Sequence, residues 1–406
     1  MGRGTLSREL WIVQAGIFLN TLGYGAVLPF EIIYLTDGRG FSAGAAGIVV
    51  GALSAVAIVS APCSGPLIDR WGARTTSALG GTALAVGYGG LALAARPATA
   101  LAAAAVAGLG NGVLNPSQSA LVAALTRSET RHRAVAVSRV ATNAGIGLGG
   151  ALGGLAAAHG FEGFVALFAA NAATSLLFAA LLMAAVAESP TARQPSGGYR
   201  VVLRDRAFLH LALINIAMIA VGWGVFSWLV PPFATHQLDV DTELIGLVLA
   251  ANAVTVVVAQ VPIARFAEGR RRVAMMGTGG LLFAMACLIV IGADLTGRAA
   301  LPALLAASVL VAFGECFHTS ALMPLVADLA PAALRGRYMA AMALSWWIGL
   351  ALAPILGGPL LSASPHGLLL AAAALAASAA VGALALALPE AARLTPQPGA
   401  VSAGDR

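Results

Sequence analysis

Glu188–Arg206, ESPTARQPSGGYRVVLRDR, is the longest polar stretch in a chain of 406 residues. Its Pro, Gly, Ser and four arginines have the composition of a flexible linker, and long apolar runs lie on both sides of it. Only 23 basic and 17 acidic residues are present, so 10% of the chain is charged against about 25% in soluble domains. With 59% hydrophobic residues, the apolar excess has to face lipid, and about twelve spans of about 20 residues absorb most of the length. The chain reads as an all-α polytopic membrane protein, and a water-soluble fold is excluded.

Apolar runs bounded by charge, Gly or Pro predict helices at 10–36, 42–68, 75–95, 98–126, 134–158, 163–187, 207–236, 242–267, 273–293, 300–330, 337–362 and 366–388. Six precede the linker and six follow it. The expected organisation is an N-terminal bundle over 1–187, a cytoplasmic linker over 188–206, a C-terminal bundle over 207–388 and a disordered cytoplasmic tail over 389–406. When alternate loops are assigned to opposite sides, nineteen arginines share one side and only Arg39, Arg96 and Arg298 take the other. That positive-inside bias places both termini in the cytoplasm.

The net charge of +6 lies in short clusters between apolar runs rather than along one amphipathic face, so no nucleic-acid partner is expected. Every basic residue is arginine, and Ala, Gly and Pro abound, a composition of GC-rich bacterial genomes that points to the bacterial inner (plasma) membrane. Cys63, Cys287 and Cys316 sit in apolar stretches without ligand spacing, so neither a disulfide, a metal nor a cofactor is expected. The first apolar run is too long for a signal peptide and reads as a retained helix.

The two halves are copies. At an offset of 199, Gly23, Tyr24 and Gly25 fall on Gly222, Trp223 and Gly224, and Gly47 falls on Gly246; at 204, Gly145, Gly153 and Gly154 fall on Gly349, Gly357 and Gly358. Parallel six-helix repeats imply a site between them near the midplane and alternating access by rocking.

The turn between the second and third spans reads Gly65-Pro66-Leu67-Ile68-Asp69-Arg70-Trp71-Gly72-Ala73-Arg74. It resembles the signature of the major facilitator superfamily: a glycine, a leucine, Asp-Arg, a glycine and then basic residues at matching spacing. The resemblance implies a cytoplasmic gate lock at Asp69 and Arg70, with Gly65, Gly72 and Arg74 shaping it, although Ala73 stands where a basic residue is usual. An acid that ends a helix needs a donor, which the start of the eleventh span would supply. The fifth span carries Gly145, Gly149, Gly153 and Gly154, and the eleventh Gly349, Pro354, Gly357 and Gly358. This pattern is similar to the small-residue motif of the family's exporters, with Gly150 in place of its proline; a close-packing seam alone is the other reading. Ala104, four residues before Gly108, stands where those exporters often have arginine. Arg139 is then the only arginine inside a span, either snorkelling to the cytoplasmic surface or acting as a counter-charge.

Polar residues inside a bilayer are costly, so their placement is informative. On the first span Gln14, Asn20, Thr21, Tyr24 and Glu31 fall within an arc of roughly 120°, a stripe expected to face a substrate cavity, with Glu31 near its outer end. Tyr24 and its mate Trp223 either flank a lipophilic substrate or pack in the core. Asn111 and Asn115 share a face one turn apart, as do their mates Glu315 and Thr319; they line a cavity or tie helices together. Glu315 is the acid farthest from either surface, and His318 follows at i+3, placed to relay its proton or to bond a neighbouring helix.

The expected function is secondary active transport: a proton-coupled antiporter exporting amphipathic drugs or a secreted metabolite, acting as a monomer with protons and a small-molecule substrate as partners. A proton-coupled importer of small solutes and a membrane sensor are the alternatives. Enzyme motifs such as GxSxG and HExxH are missing. A chain without lysine has no GxxxxGK[ST] loop for ATP, so an ion gradient is the energy source.

Overall fold

In hydrocarbon an apolar run satisfies its own backbone N–H and C=O groups only as a helix or in a closed barrel. A computed structural model describes residues 7–126, 131–188, 199–267, 270–296, 299–331 and 334–386, and among them the chain is helical with short connections. Most of the predicted linker, 189–198, and the predicted tail lie outside the described residues. The helices are Arg8–Gly38 (α1), Ala43–Ser60 (α2), Ser64–Leu93 (α3), Pro97–Ala124 (α4), Arg131–Ala157 (α5), Gly160–Ala185 (α6), Arg206–Gln237 (α7), Thr242–Ala267 (α8), Arg272–Thr296 (α9), Ala300–Leu329 (α10), Arg335–Ala363 (α11) and Pro365–Ala385 (α12).

Eleven continuous stretches among the described residues are long and apolar enough to cross a membrane. One of them, Ala43–Leu93, has 51 residues and would measure about 76 Å if straight, over twice the hydrocarbon thickness. It breaks inside α3 at Gly72, whose φ of 80° and ψ of 166° are not helical, and the chain packs on α4 both before the break, at Leu53 and Ser60, and after it, at Gly80 and Gly87. Split there, the chain makes the twelve crossings that the apolar runs predict.

Local chemistry sets the helix ends. Ser7 and Ser42 accept the backbone N–H groups of Leu10 and Ala45, and Asp205 accepts that of Phe208, each satisfying a donor the helix leaves open. Within α1, Pro29 has no N–H to give, and the chain tightens over Leu28–Phe30 before widening at Tyr34–Gly38. A similar widening spans Ala220–Leu229 in α7, just before Pro231 and Pro232.

By contacts the chain forms two compact units. The first holds α1–α6 together with Gly224–Val254 and Leu350–Leu368; the second holds Gly197–Trp223, Thr255–Gly349 and the chain from Leu369. The later parts of α7 and α11 and the start of α8 therefore pack with the first six helices. In the first unit α1 packs on α5 and α6, and α3 on α4 and α6. In the second, α9 packs along α10. Within the first unit the helix ends on the side of Ser7, and within the second those on the side of Leu386, are called terminal below, and the opposite ends of each unit distal.

Candidate functional site

In the first unit the distal end is built around an acid. Glu31 follows the tightened turn at Pro29 and is 3% exposed. One of its oxygens accepts the Tyr88 hydroxyl of α3 at 3.1 Å, and the other accepts Nε1–H of Trp228 on α7 at 2.9 Å. Both donors are neutral, and no cation pairs with Glu31 among the described residues. An ionised carboxylate held this way is costly, because two hydrogen bonds do not replace the lost hydration and no counter-charge offsets it. Six residues on, Asp37 meets Nε2 of His236 at 3.0 Å, a second tie between α1 and α7 that is open to solvent.

The glycines of the repeat make the crossings that close this end. Gly145, Gly149 and Gly153 lie against the backbone of α1 at Phe18, Leu22 and Ala26, so a side chain at any of them would collide with main chain. Gly154 faces Gly246 on α8, and in the repeated arrangement Gly358 faces Gly47 on α2, where the Pro354 carbonyl also approaches. Gly357 packs on Leu229, and in the second unit Gly349 packs on Ile216 and Ile219. These motif glycines form packing seams, and the mates Gly47 and Gly246 complete them.

Of the predicted polar stripe of α1, Gln14, Asn20 and Thr21 turn to neighbouring helices, while Glu31 borders a small cavity with Leu35, Val49, Leu53 and Phe168. Asn20 accepts the Ser175 hydroxyl of α6 at 3.0 Å, Gln14 donates to the Ala134 carbonyl of α5, and Thr21 donates within α1 and to α5. Helical spacing places residues on one face without saying which neighbour that face meets; here it meets α5 and α6. Tyr24 is partly buried two turns before Glu31 on the same face. On α4, Asn111 is half-buried and Asn115 exposed. Asn115 donates to the Asn111 carbonyl of its own helix, leaving a polar strip rather than a bridge between helices.

At the terminal end the Gly65–Arg74 turn has another centre than expected. Asp69 and Arg70 are exposed; Arg70 lies over the Trp71 ring, and Asp69 has no hydrogen-bond partner among the described residues. Gly65 has open space around it and is no close-approach point. The carboxylate that organises the turn is Glu188, just past α6. It accepts the backbone N–H groups of Arg74 and Thr75 at 3.0 and 3.1 Å and the Thr75 hydroxyl at 3.0 Å, and lies 3.4 Å from Arg74 Nε. It caps the helix that starts after Gly72, and a Cβ at Gly72 would overlap this carboxylate. Arg139 is exposed.

The second unit carries a different polar core. His318 is buried, and its Nε2 lies 2.8 Å from Asn215 Oδ1 of α7. The Asn215 amide donates to Ser345 Oγ of α11 at 2.6 Å, and Ser345 donates to the Met342 carbonyl. Trp223 packs against His318, Phe283 and Trp346. Glu315 is half-buried, and its carbonyl accepts the Thr319 hydroxyl, which also reaches Gln260 of α8. Toward the terminal end, buried Arg272 of α9 pairs with Asp328 of α10. Sequence reasoning missed Tyr88, Trp228, Glu188 and Asn215. Only Asn215 and Glu188 carried a signal, one as a polar residue deep in an apolar run and the other as the first acid after α6.

The Major Facilitator Superfamily family description matches residues 15–229 and again 212–404. Among similar proteins is the "Uncharacterized MFS-type transporter YqjV" of Bacillus subtilis, 24% identical over 86% of this chain and 85% of its own length. Another is the "Multidrug resistance protein MdtH" of Aeromonas hydrophila, 26% identical over 81% of each. A crystal structure of a mutant peptide transporter POT is similar over 93% of both chains with a TM-score of 0.78 at 16% identity, a likeness of fold.

Proposed function

We propose that this chain, which belongs to the major facilitator superfamily, is a proton-coupled exporter of amphipathic, preferentially cationic compounds in the bacterial inner membrane. It works as a monomer, with its termini in the cytoplasm and the distal ends outside. The arginine distribution supports the orientation, and a relative named as a multidrug resistance protein supports the substrate class. The moving bodies are the repeats 1–187 and 207–388, joined through 188–206, and Asp69 with Arg70 locks the cytoplasmic side when that side closes.

The observation that carries the reading is Glu31: a carboxylate at the distal closure, held by neutral donors from α3 and α7. Closing the distal end moves Glu31 out of water, which costs far less for the neutral acid than for the carboxylate. Protonated Glu31 also fits its partners, because its carbonyl oxygen still accepts from Trp228 while its hydroxyl turns toward the Tyr88 oxygen. Outer closure thus carries a proton inward. A cationic substrate entering from the cytoplasm favours the ionised acid, releases the proton and is carried out in exchange. On this reading Glu31 takes the role that the depth of Glu315 suggested. Glu315 and His318 handle the proton on its inward path, and Trp223, Asn111, Asn115 and Thr319 contact the substrate.

The test is substrate-driven proton release from the purified protein in liposomes, measured with a panel of lipophilic cations and neutral analogues. Protons leaving the protein as a cation binds supports exchange; proton and substrate moving in the same direction would sink it.

A further inference from the structure

The geometry points to Asn215 as a positioning residue: it fixes His318 as the Nε2–H tautomer and leaves Nδ1 as the one atom of that ring able to take a proton. The hydrogen bonds run in one direction. A serine hydroxyl has a single proton, and that of Ser345 goes to the Met342 carbonyl at 2.6 Å. Toward Asn215 the Ser345 oxygen can therefore only accept, so the group 2.6 Å away is the amide NH2 of Asn215. The Asn215 carbonyl oxygen is then the atom facing His318 at 2.8 Å. A carbonyl oxygen only accepts, so Nε2 carries the hydrogen, and Nδ1 of the neutral ring has none.

The opposite assignment fails on cost. Turning the amide over would put the imidazole proton on Nδ1, which is buried and has no hydrogen-bond partner. A buried N–H without an acceptor forfeits a full hydrogen bond, and the hydrogen bond from the Ser345 hydroxyl to the Met342 carbonyl would be lost as well. An imidazolium would strand the same N–H and add an uncompensated charge. The conformation seen here is therefore one in which His318 is neutral.

Among the described residues no hydrogen-bond partner meets Nδ1. The hydrogen-bond and ring partners of His318, and their own partners, bring in Asn215, Trp223, Phe283, Ser345 and Trp346, none charged. The titratable groups on the same elements are Glu315, one turn back on α10, Cys316, buried two residues back on that helix, Cys287, one turn past Phe283 on α9, His210, exposed and more than a turn before Asn215 on α7, His236 near the end of α7 and Tyr338 near the start of α11. The charged residues Arg206, Arg272, Asp294, Asp328, Arg335 and Arg337 lie near the helix ends. Nδ1 gains a proton when rearrangement brings it an acceptor, and Asn215 ensures that this atom is the one that changes. The consequence for transport rests on the proton-coupling reading, whereas the tautomer itself does not.

The experiment is 15N NMR of histidine-labelled protein in lipid nanodiscs at neutral pH, with the His318 signals assigned through His318→Gln. The unaltered protein should show a protonated Nε2 and an unprotonated Nδ1. Asn215→Asp keeps an acceptor at Nε2 and should preserve that signature, while Asn215→Leu should give a mixture of both tautomers. Should Asn215→Leu not fold, Ser345→Ala, which removes the acceptor that orients the amide, should show the same mixture. A proton on Nδ1 in the unaltered protein would overturn the assignment, as would an unchanged signature in the Asn215→Leu or Ser345→Ala protein. Proton release measured in parallel separates the two claims: a fixed tautomer without release contradicts proton coupling and leaves the role of Asn215 standing.

Discussion

The two repeats agree at their glycines and disagree at their polar cores. Gly154 against Gly246 in one arrangement is matched by Gly358 against Gly47 in the other, positions related by the offsets of 204 and 199. Glu31, in contrast, corresponds to Val230 at the same offset of 199, Asn215 to Gly16, and His318 corresponds to Leu114 at 204. Their terminal ends differ too: where the second repeat pairs Arg272 with Asp328, the first has Ala73 and Ala124 and uses Glu188 instead. Positions kept in both copies hold helices together. Positions kept in one copy carry the ionisable chemistry, because a symmetric pair of buried acids would double the desolvation cost without adding a second exchange.

The comparison breaks most violently at the crossings. Gly154→Leu and Gly358→Leu each push a side chain into the facing backbone, and each should cost about 4 kcal/mol or more, enough to abolish folding. Yield of monodisperse protein checks this, and equal damage at the two sites is the expected sign of the repeat. Next in size is Asp328→Ala, which leaves Arg272 buried without a partner and should cost about 3 kcal/mol, read as a fall in thermal stability. Ala124→Asp, the corresponding site in the first repeat, should not create an equivalent pair, since Ala73 offers no charge.

Glu188→Ala removes the cap beyond Gly72 and should cost about 1–2 kcal/mol, visible as faster hydrogen exchange at Arg74 and Thr75. His236→Ala is the smallest expected change, under about 1 kcal/mol, because the Asp37 pair is exposed and screened. A stability loss there as large as that at Asp328 would mean that the distal end depends on its surface pair rather than on its glycines.

The twelve crossings and the glycine seams were legible because apolar length and repeat spacing are local properties of a sequence. Gly72 was legible as a turn residue, but the carboxylate filling its space was not, since Glu188 lies more than a hundred residues away in what reads as a linker. Gln14 and Asn20 were legible as one face of α1, but their partners on α5 and α6 were not, because periodicity does not say what a face meets. Glu31 stood out as an acid in an apolar run, whereas Tyr88 and Trp228 looked like ordinary aromatic residues. Only the fold brings their donors to its two oxygens.

Glu31→Gln tests the account most directly. The amide keeps an oxygen for Trp228 and a donor for the Tyr88 oxygen, so the variant should fold, bind lipophilic cations and let them equilibrate down their own gradient. In liposomes with an imposed pH gradient and an internal pH dye, the account predicts no uphill accumulation and no substrate-driven proton movement by Glu31→Gln, with both present in the unaltered protein and in Val230→Ala. Proton-driven uphill transport by Glu31→Gln at the unaltered rate would contradict it.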